Sequence, residues 1–406
     1  MKYVIFLGDG MADYRIKELG NKTPLEAAYK PNIDGLAKLS TIGMVKSVPD
    51  KYKVPGSDIA NMSILGYDPN KYYTGRSPLE AVGMGIEMSD TDVAVRCNLV
   101  TLSDDPIYEN KTMLDYSSDE ITTREATQLI NYINNTLGKN DLVFHPGVSY
   151  RHCLIWKKGA VNIDATPPHD ILGKKIGDFL PKAPHASFMV DIMKKSYELL
   201  KDHPVNKERV KNGLNPANSI WLWGEGTKPR LESFKKLHGK KGAVISAVDL
   251  LKGIAKCAKM DFLNVPGATG TIDTNYEGKA NAAINFLKND GNFVYIHLEA
   301  PDECGHRHEI ENKVKAIELF DKNIIGPVLE YLDLQGHYKV MVLPDHPTPL
   351  ELRTHTNEPV PFLLYNSKSF ASNPDDMKYD EIHAKSTGIF VEPGYKLIDK
   401  LFSNRT

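Results

Sequence analysis

Cysteine is scarce in this chain. Cys97, Cys153, Cys257 and Cys304 are scattered through 406 residues and form no CxxC pair, which argues against a disulfide framework or a cysteine-rich zinc module and favours a reducing compartment. Long apolar runs are missing too. No stretch approaches the ~18 residues of a membrane-spanning helix, and the short apolar run before Asp9 is too brief for a secretory signal. A soluble, cytoplasmic protein is therefore expected. Charge imbalance is equally absent: 50 basic residues face 52 acidic ones for a net charge of -2, with no long charge run. Neither nucleic acid nor a membrane is an expected partner, so an anionic ligand has to be gripped locally. There is no fixed-period repeat, no low-complexity tract and no P-loop GxxxxGK[ST], so any use of ATP requires another phosphate grip.

What is present is a length beyond a single core and a hydrophobic share of 41%, which predict two domains with real cores. YVIFLG reads as a strand and PNIDGLAKLS as a helix. From Ser219 the alternation resumes: SIWLWG, GAVISA, FVYIHL and KVMVLP as strands; RLESFKKLHG, VDLLKGIAKCAK, GKANAAINFLKN and a long amphipathic KVKAIELFDKNIIGPVLEYL as helices. This order predicts an α/β fold with a mostly parallel sheet covered by helices on both faces. Between residues 86 and 214 the grammar changes. DVAVRCNLVTL, DLVFHPGVSYRHCLIWK and AVNIDAT look like strands, separated by the helices ITTREATQLINYINNTLG and ASFMVDIMKKSYELLKDH. This predicts a smaller α+β domain, 86–214, inserted into one formed by 1–85 and 215–406, with loop-rich joints at GRSPLEAVGMG and DHPVNKERVKNGLNPAN.

Chemistry gathers at strand ends. YVIFLG leads to Asp9, FVYIHLEAP runs into Asp302 and His306, KVMVLP delivers Asp345 and His346, and His355 follows in THTNEPVPF. Asp302 and His306 are four apart, a helical spacing at which they can share one ion. Singly, each has a plainer reading: Asp9 as a helix cap, His346 as a loop histidine, His306 and His308 as parts of a solvated face. Together they lie where open α/β sheets bind ligands, at the carboxyl ends of parallel strands. Their mixture of oxygen and imidazole donors suits zinc, manganese, cobalt or magnesium better than copper or an iron–sulfur centre. Ser57, in VPGSDIANMSILG, sits at a Pro-Gly turn before a helix, where amides can face a phosphate. Alone it reads as an N-cap; beside two metals it reads as a phosphoryl acceptor, activated by coordination because no histidine neighbours it in sequence.

The order GDGMAD, PGSD before a helix, APDECGH, LPDH and THTNEPVP resembles the alkaline phosphatase superfamily, and most nearly its cofactor-independent phosphoglycerate mutases of the archaeal type. The match runs over essentially the whole chain. It implies an alkaline-phosphatase-like domain with a transferase domain inserted, two divalent metals, and interconversion of 3-phosphoglycerate and 2-phosphoglycerate through a phosphoserine without 2,3-bisphosphoglycerate. Carried onto matching positions, Asp302, His306 and His355 hold one metal, and Asp9, Ser57, Asp345 and His346 hold the other. The implied partner is a small phosphorylated substrate, and the implied assembly a monomer or small homo-oligomer.

A mutase needs cationic clamps for a carboxylate and a phosphate, and arginine supplies them bidentately. Arg96 and Arg151 each interrupt an apolar strand and are the candidate substrate contacts; His152 and His169 are weaker candidates, and Lys240 and Lys241 read equally well as surface charges. The chain departs from the archaeal mutases at MLDYSSDEITTREA and at Trp223, where they carry arginine. At DYSSDEITTREA and EAPDECGHRHE it resembles a bacterial branch of the family proposed to act as a homoserine kinase. A phosphomonoesterase, or a metal-binding scaffold without turnover, is also compatible with such a ligand set.

Overall fold

The computed structural model describes residues 1–52, 55–289 and 291–403. The chain divides into two compact units, Met1–Tyr73 with Arg230–Thr406, and Thr74–Pro229. The sequence pattern puts the seams at 85/86 and 214/215. The helix Ser77–Met84 accounts for much of the shift, because it packs on the strands Val93–Leu102 and Ser219–Thr227 of the second unit.

Among the described residues of the first unit eight strands lie in the order Phe390–Val391, Thr41–Val45, Val360–Asn366, Tyr338–Leu343, Lys2–Gly8, Phe293–Leu298, Gly242–Ile245, Asp261–Phe262. Pairing is parallel throughout except where Val360–Asn366 meets its two neighbours. The three central strands are almost wholly buried, as apolar runs covered on both faces should be. Side-chain alternation assigns the faces. On Lys2–Gly8, Phe6 meets Phe320 of the helix Ile310–Phe320, while Tyr3 points the other way and meets Phe402 of the helix Leu397–Phe402. The parallel register pairs Gly8 with Leu298 and Leu7 with Leu343. These strands therefore end level, and the residues after them share one edge.

The predicted long helix is three pieces: Ile310–Phe320, a π turn Asp321–Ile325, and Gly326–Asp333. Pro327 has no amide hydrogen and would crowd an α-helical carbonyl behind it, and the wider turn makes room. The turn also presents Asp321, whose carboxylate accepts from the Asn32 and Ile33 amides at the start of the helix Pro31–Ala37.

The second unit is an antiparallel sheet around Val93–Leu102, which pairs with Met113–Asp115, Arg151–Trp156 and Ser219–Thr227; Leu142–His145 pairs with Arg151–Trp156. The helices Thr123–Leu137 and Ser187–Leu200 contribute to its core. AVNIDAT is not a strand. Asn162 and Asp164 have left-handed backbones (φ 63° and 53°) that break the pleat, and the Ile163 amide bonds the Glu225 side chain instead of a ladder. Both joints also contain helices, Ser77–Met84 and Pro204–Lys211. Proline and glycine there mark a helix start and stop rather than a loop. Among the described residues no helix is long and apolar enough to cross a membrane.

Candidate metal centre

Asp9 follows the first strand, Asp345 and His346 follow Tyr338–Leu343, and Asp302 and His306 lie on the helix Ala300–Arg307 that opens just after Phe293–Leu298. Two sets of ligand atoms converge: Asp9, Asp345 and His346, and Asp302, His346 and His355, each within 4.8 Å. His346 belongs to both. His306 joins the second set, its Nε2 lying 3.4 Å from Asp302 Oδ2 and 2.9 Å from His355 Nε2.

The histidine tautomers follow from their outer contacts. His306 Nδ1 faces the Arg353 carbonyl at 2.9 Å and His355 Nδ1 faces that of Pro55 at 3.0 Å. Each Nδ1 therefore carries the hydrogen, and the two Nε2 lone pairs meet with Asp302 beside them. Only a shared cation relieves that arrangement. Without a metal a proton fills the role: the hydrogen bond that His306 donates to the Asp302 carboxylate pushes His306 up to about 9. Asp302 is held well below the carboxylate range, because the His306 and His355 rings against its carboxylate outweigh its burial. Thr348 donates to Asp302 Oδ1 at 2.5 Å and lies 3.3 Å from His346 Nδ1, so the His346 Nε2 lone pair faces the site. Burial pushes His346 down to about 4, keeping it a neutral ligand.

Around the first set, Asp345 is fixed by the Gly10 amide at 3.2 Å and the Asn61 side chain at 2.9 Å, and Asn61 is itself fixed by Tyr295. Asp9 is pushed well above the carboxylate range by burial and by the charges of Asp345 and Asp302, while Oδ1 finds no hydrogen-bond partner among the described residues. An orphaned carboxylate oxygen among acidic neighbours and convergent imidazole lone pairs fits a hard or borderline divalent cation.

Ser57 is the first residue of the helix Ser57–Ile64, and Gly56 is its N-cap. The serine side chain does no capping. It lies instead 3.0 Å from His346 Nε2, a neighbour that sequence distance conceals. Also unforeseen are His297 and Glu299, and Lys279 on the helix Tyr276–Lys288. His297 is fully buried 3.2 Å from Asp9 and 3.1 Å from Glu299, and those two carboxylates overcome burial to push it up to about 10. A histidine within FVYIHL, and a glutamate just after it, were the signals in the sequence.

In the second unit Arg96 is half-buried against Glu80 at 3.1 Å, and its guanidinium lies 4.4 Å over the Trp223 ring. Arg76 also binds Glu80; the two arginines hold that carboxyl below its usual range against the effect of burial. His169 packs edge-on to Trp223 and Tyr116, and the exposed Arg151 is 5.6 Å from the Tyr150 ring. His152 is pushed down to about 3 by burial and accepts from the Gly147 amide. In the first unit Lys240 lies over Tyr3 and Phe402, and Lys241 over Phe286.

Residues 37–206 match the family profile of 2,3-bisphosphoglycerate-independent phosphoglycerate mutase. A Geobacter sulfurreducens protein named as a probable mutase of this kind is 47% identical over 401 residues, covering 99% of each chain. The chain belongs to the 2,3-bisphosphoglycerate-independent phosphoglycerate mutase family. Among solved structures, the PH0037 protein of Pyrococcus horikoshii superposes with a TM-score of 0.83 at 29% identity, covering 100% of this chain and 98% of that one. The cofactor-independent phosphoglycerate mutase of Thermoplasma acidophilum follows at TM-score 0.64 and 26% identity, with 99% of each chain covered. Mutases of this family thus share the chain's full length, both units included.

Proposed function

We propose that this protein interconverts 3-phosphoglycerate and 2-phosphoglycerate by passing the phosphoryl group through Ser57. The observation that carries the reading is Ser57 itself: a hydroxyl with no capping duty at a helix N-terminus, beside a histidine common to both ligand sets. Ser57 Oγ gives up its proton as it attacks the phosphorus, the bond to the substrate oxygen breaks, and that oxygen takes up a proton to give glycerate. The Ser57–Ile64 helix directs amides and its positive dipole end toward the new phosphate. Glycerate then presents its other hydroxyl, which attacks phospho-Ser57 and restores the serine.

Asp9, Ser57, Asp345 and His346 would hold one divalent ion, and Asp302, His306 and His355 the other, with His346 leaning toward both. Manganese, zinc, cobalt or magnesium bound there would lower the serine pKa and offset charge on the transferring group. The second unit is the substrate domain, with Arg96 and Arg151 gripping carboxylate and phosphate; Arg96 would have to share its charge between Glu80 and the substrate. Excluding water protects phospho-Ser57 from hydrolysis, which separates a mutase from a phosphatase. The setting is cytoplasmic, and the working form a monomer or small homo-oligomer.

Phosphorus NMR of the metal-loaded protein with 3-phosphoglycerate, without ATP or bisphosphoglycerate, tests this. Formation of 2-phosphoglycerate that Ser57→Ala abolishes is expected. Release of inorganic phosphate alone, or turnover only with homoserine and ATP, would contradict it.

A further inference from the structure

Behind Asp9 the fold buries a group of polar side chains that the phosphoryl transfer does not use. His297 lies on the strand Phe293–Leu298, beside the strand that leads to Asp9. Its ring nitrogens face different carboxylates, Nε2 toward Asp9 Oδ2 at 3.2 Å and Nδ1 toward Glu299 Oε1 at 3.1 Å. Glu299 is held in turn by the Ser246 hydroxyl at 2.8 Å, the Ala247 amide at 2.6 Å and the Lys279 ammonium at 2.5 Å. Lys279 also donates to the His297 carbonyl at 2.8 Å, which closes the circuit. His297 and Lys279 are 0% exposed and Glu299 3%. Groups of this kind are costly to bury, and packing a central strand does not call for them.

The two oxygens of Asp9 are not equivalent. Oδ2 faces His297 Nε2 at the ion-pair distance of 3.2 Å, without a well-directed hydrogen bond, whereas Oδ1 finds no hydrogen-bond partner among the described residues and lies 3.5 Å from His346 Nε2. From this geometry we propose that His297, anchored by Glu299 and Lys279, is a positioning residue that turns Asp9 so that Oδ1 alone serves the cation site shared with Asp345 and His346. The inference rests on Asp9 being a ligand. Partners of this sort fix the orientation of a ligand, and removing them typically weakens metal binding 10–100-fold.

Calorimetric titration of the metal-free protein with Mn²⁺ tests the proposal, comparing the parent with H297N and H297Q. Glutamine carries its amide nitrogen near the position of Nε2 and can still meet Asp9; asparagine carries it near Nδ1 and reaches only Glu299. H297N is expected to lose about 10–100-fold at one of two Mn²⁺ sites, with the other unchanged. H297Q should recover most of that loss, and kcat should fall in H297N while KM changes little. Two parent-like sites in H297N, equal weakening of both, or no recovery in H297Q would overturn it. If circular dichroism shows H297N unfolded, Ser246→Ala loosens Glu299 without touching Asp9. Weaker Mn²⁺ binding at one site is then expected, and unchanged binding overturns the proposal. A parent protein that takes up no Mn²⁺ defeats instead the reading of Asp9 as a ligand.

Discussion

Replacing Lys313 with methionine should unfasten the loop that carries the metal ligands. Lys313 and Asp13 are buried, with side chains 0% and 1% exposed, and meet at 2.7 Å. Lys313 also donates to the Thr348 carbonyl at 2.8 Å, and Asp13 accepts from the Leu350 amide at 3.1 Å. The pair thus clamps both sides of Thr348, whose hydroxyl donates to Asp302 and abuts His346. Methionine keeps the volume but leaves the Asp13 carboxylate buried with only amide donors. Breaking one side of a buried pair costs about 3–5 kcal/mol, and the retained amides put this case near 3. For a unit of this size that lowers Tm by roughly 10 °C. Urea unfolding of K313M, D13N and the double variant measures it. The double variant should be more stable than the sum of the single losses implies, because neutralising Asp13 removes the stranded charge. Additive losses, or a K313M cost under about 1 kcal/mol, would refute the reasoning, since removing one partner of a truly buried pair cannot be that mild.

His355→Ala should expose the second ligand set: Mn²⁺ stoichiometry by calorimetry should drop, with turnover reduced by at least about 100-fold, as expected when a charge-stabilising group is lost. Glu381 supplies a pH test. Burial pushes its carboxyl from 4.5 up to about 7, so the folded state binds the extra proton and stability falls as pH rises from about 4.5 to 7. The full shift corresponds to roughly 3 kcal/mol, and partial exposure reduces this to about 1–2; urea titrations of Glu381→Gln should show a flatter slope across that window. In the second unit Arg209 is 3% exposed, pairs with Glu125 at 3.1 Å and donates to the Ser118 carbonyl at 2.6 Å. Arg209→Met should cost about 2–3 kcal/mol, discounted for the half-buried glutamate, read as lowered thermal unfolding with Mn²⁺ binding kept. Arg96→Ala should raise KM for phosphoglycerate with metal binding unchanged, measured by steady-state assay and calorimetry.

The central sheet was legible because its strands are continuous apolar runs that stop at a carboxylate, and parallel register carries those stops to one edge. Asp9, Asp302, Asp345 and His346 could be read that way. His306 was visible through its helical spacing from Asp302. What stayed hidden depends on contacts across long sequence distances. Ser57 and His346 are 289 residues apart, as are Asp321 and Asn32, yet each pair touches. His297 and Tyr295 lie inside a buried strand, where a polar residue reads as an irregularity until the fold supplies Asp9 and Asn61 as partners. AVNIDAT alternates like a strand, but its Asn162 and Asp164 tolerate left-handed backbone and take a loop path. Pro327 was the local sign that the long helix would not run straight.

Transfer through Ser57 is tested most directly by peptide mapping by mass spectrometry after acid quench of the metal-loaded protein turning over 3-phosphoglycerate. One phosphate is expected on the peptide containing Ser57, lost on quenching after Mn²⁺ removal. Steady conversion to 2-phosphoglycerate with no phosphate on Ser57, or undiminished conversion by S57A, would contradict it.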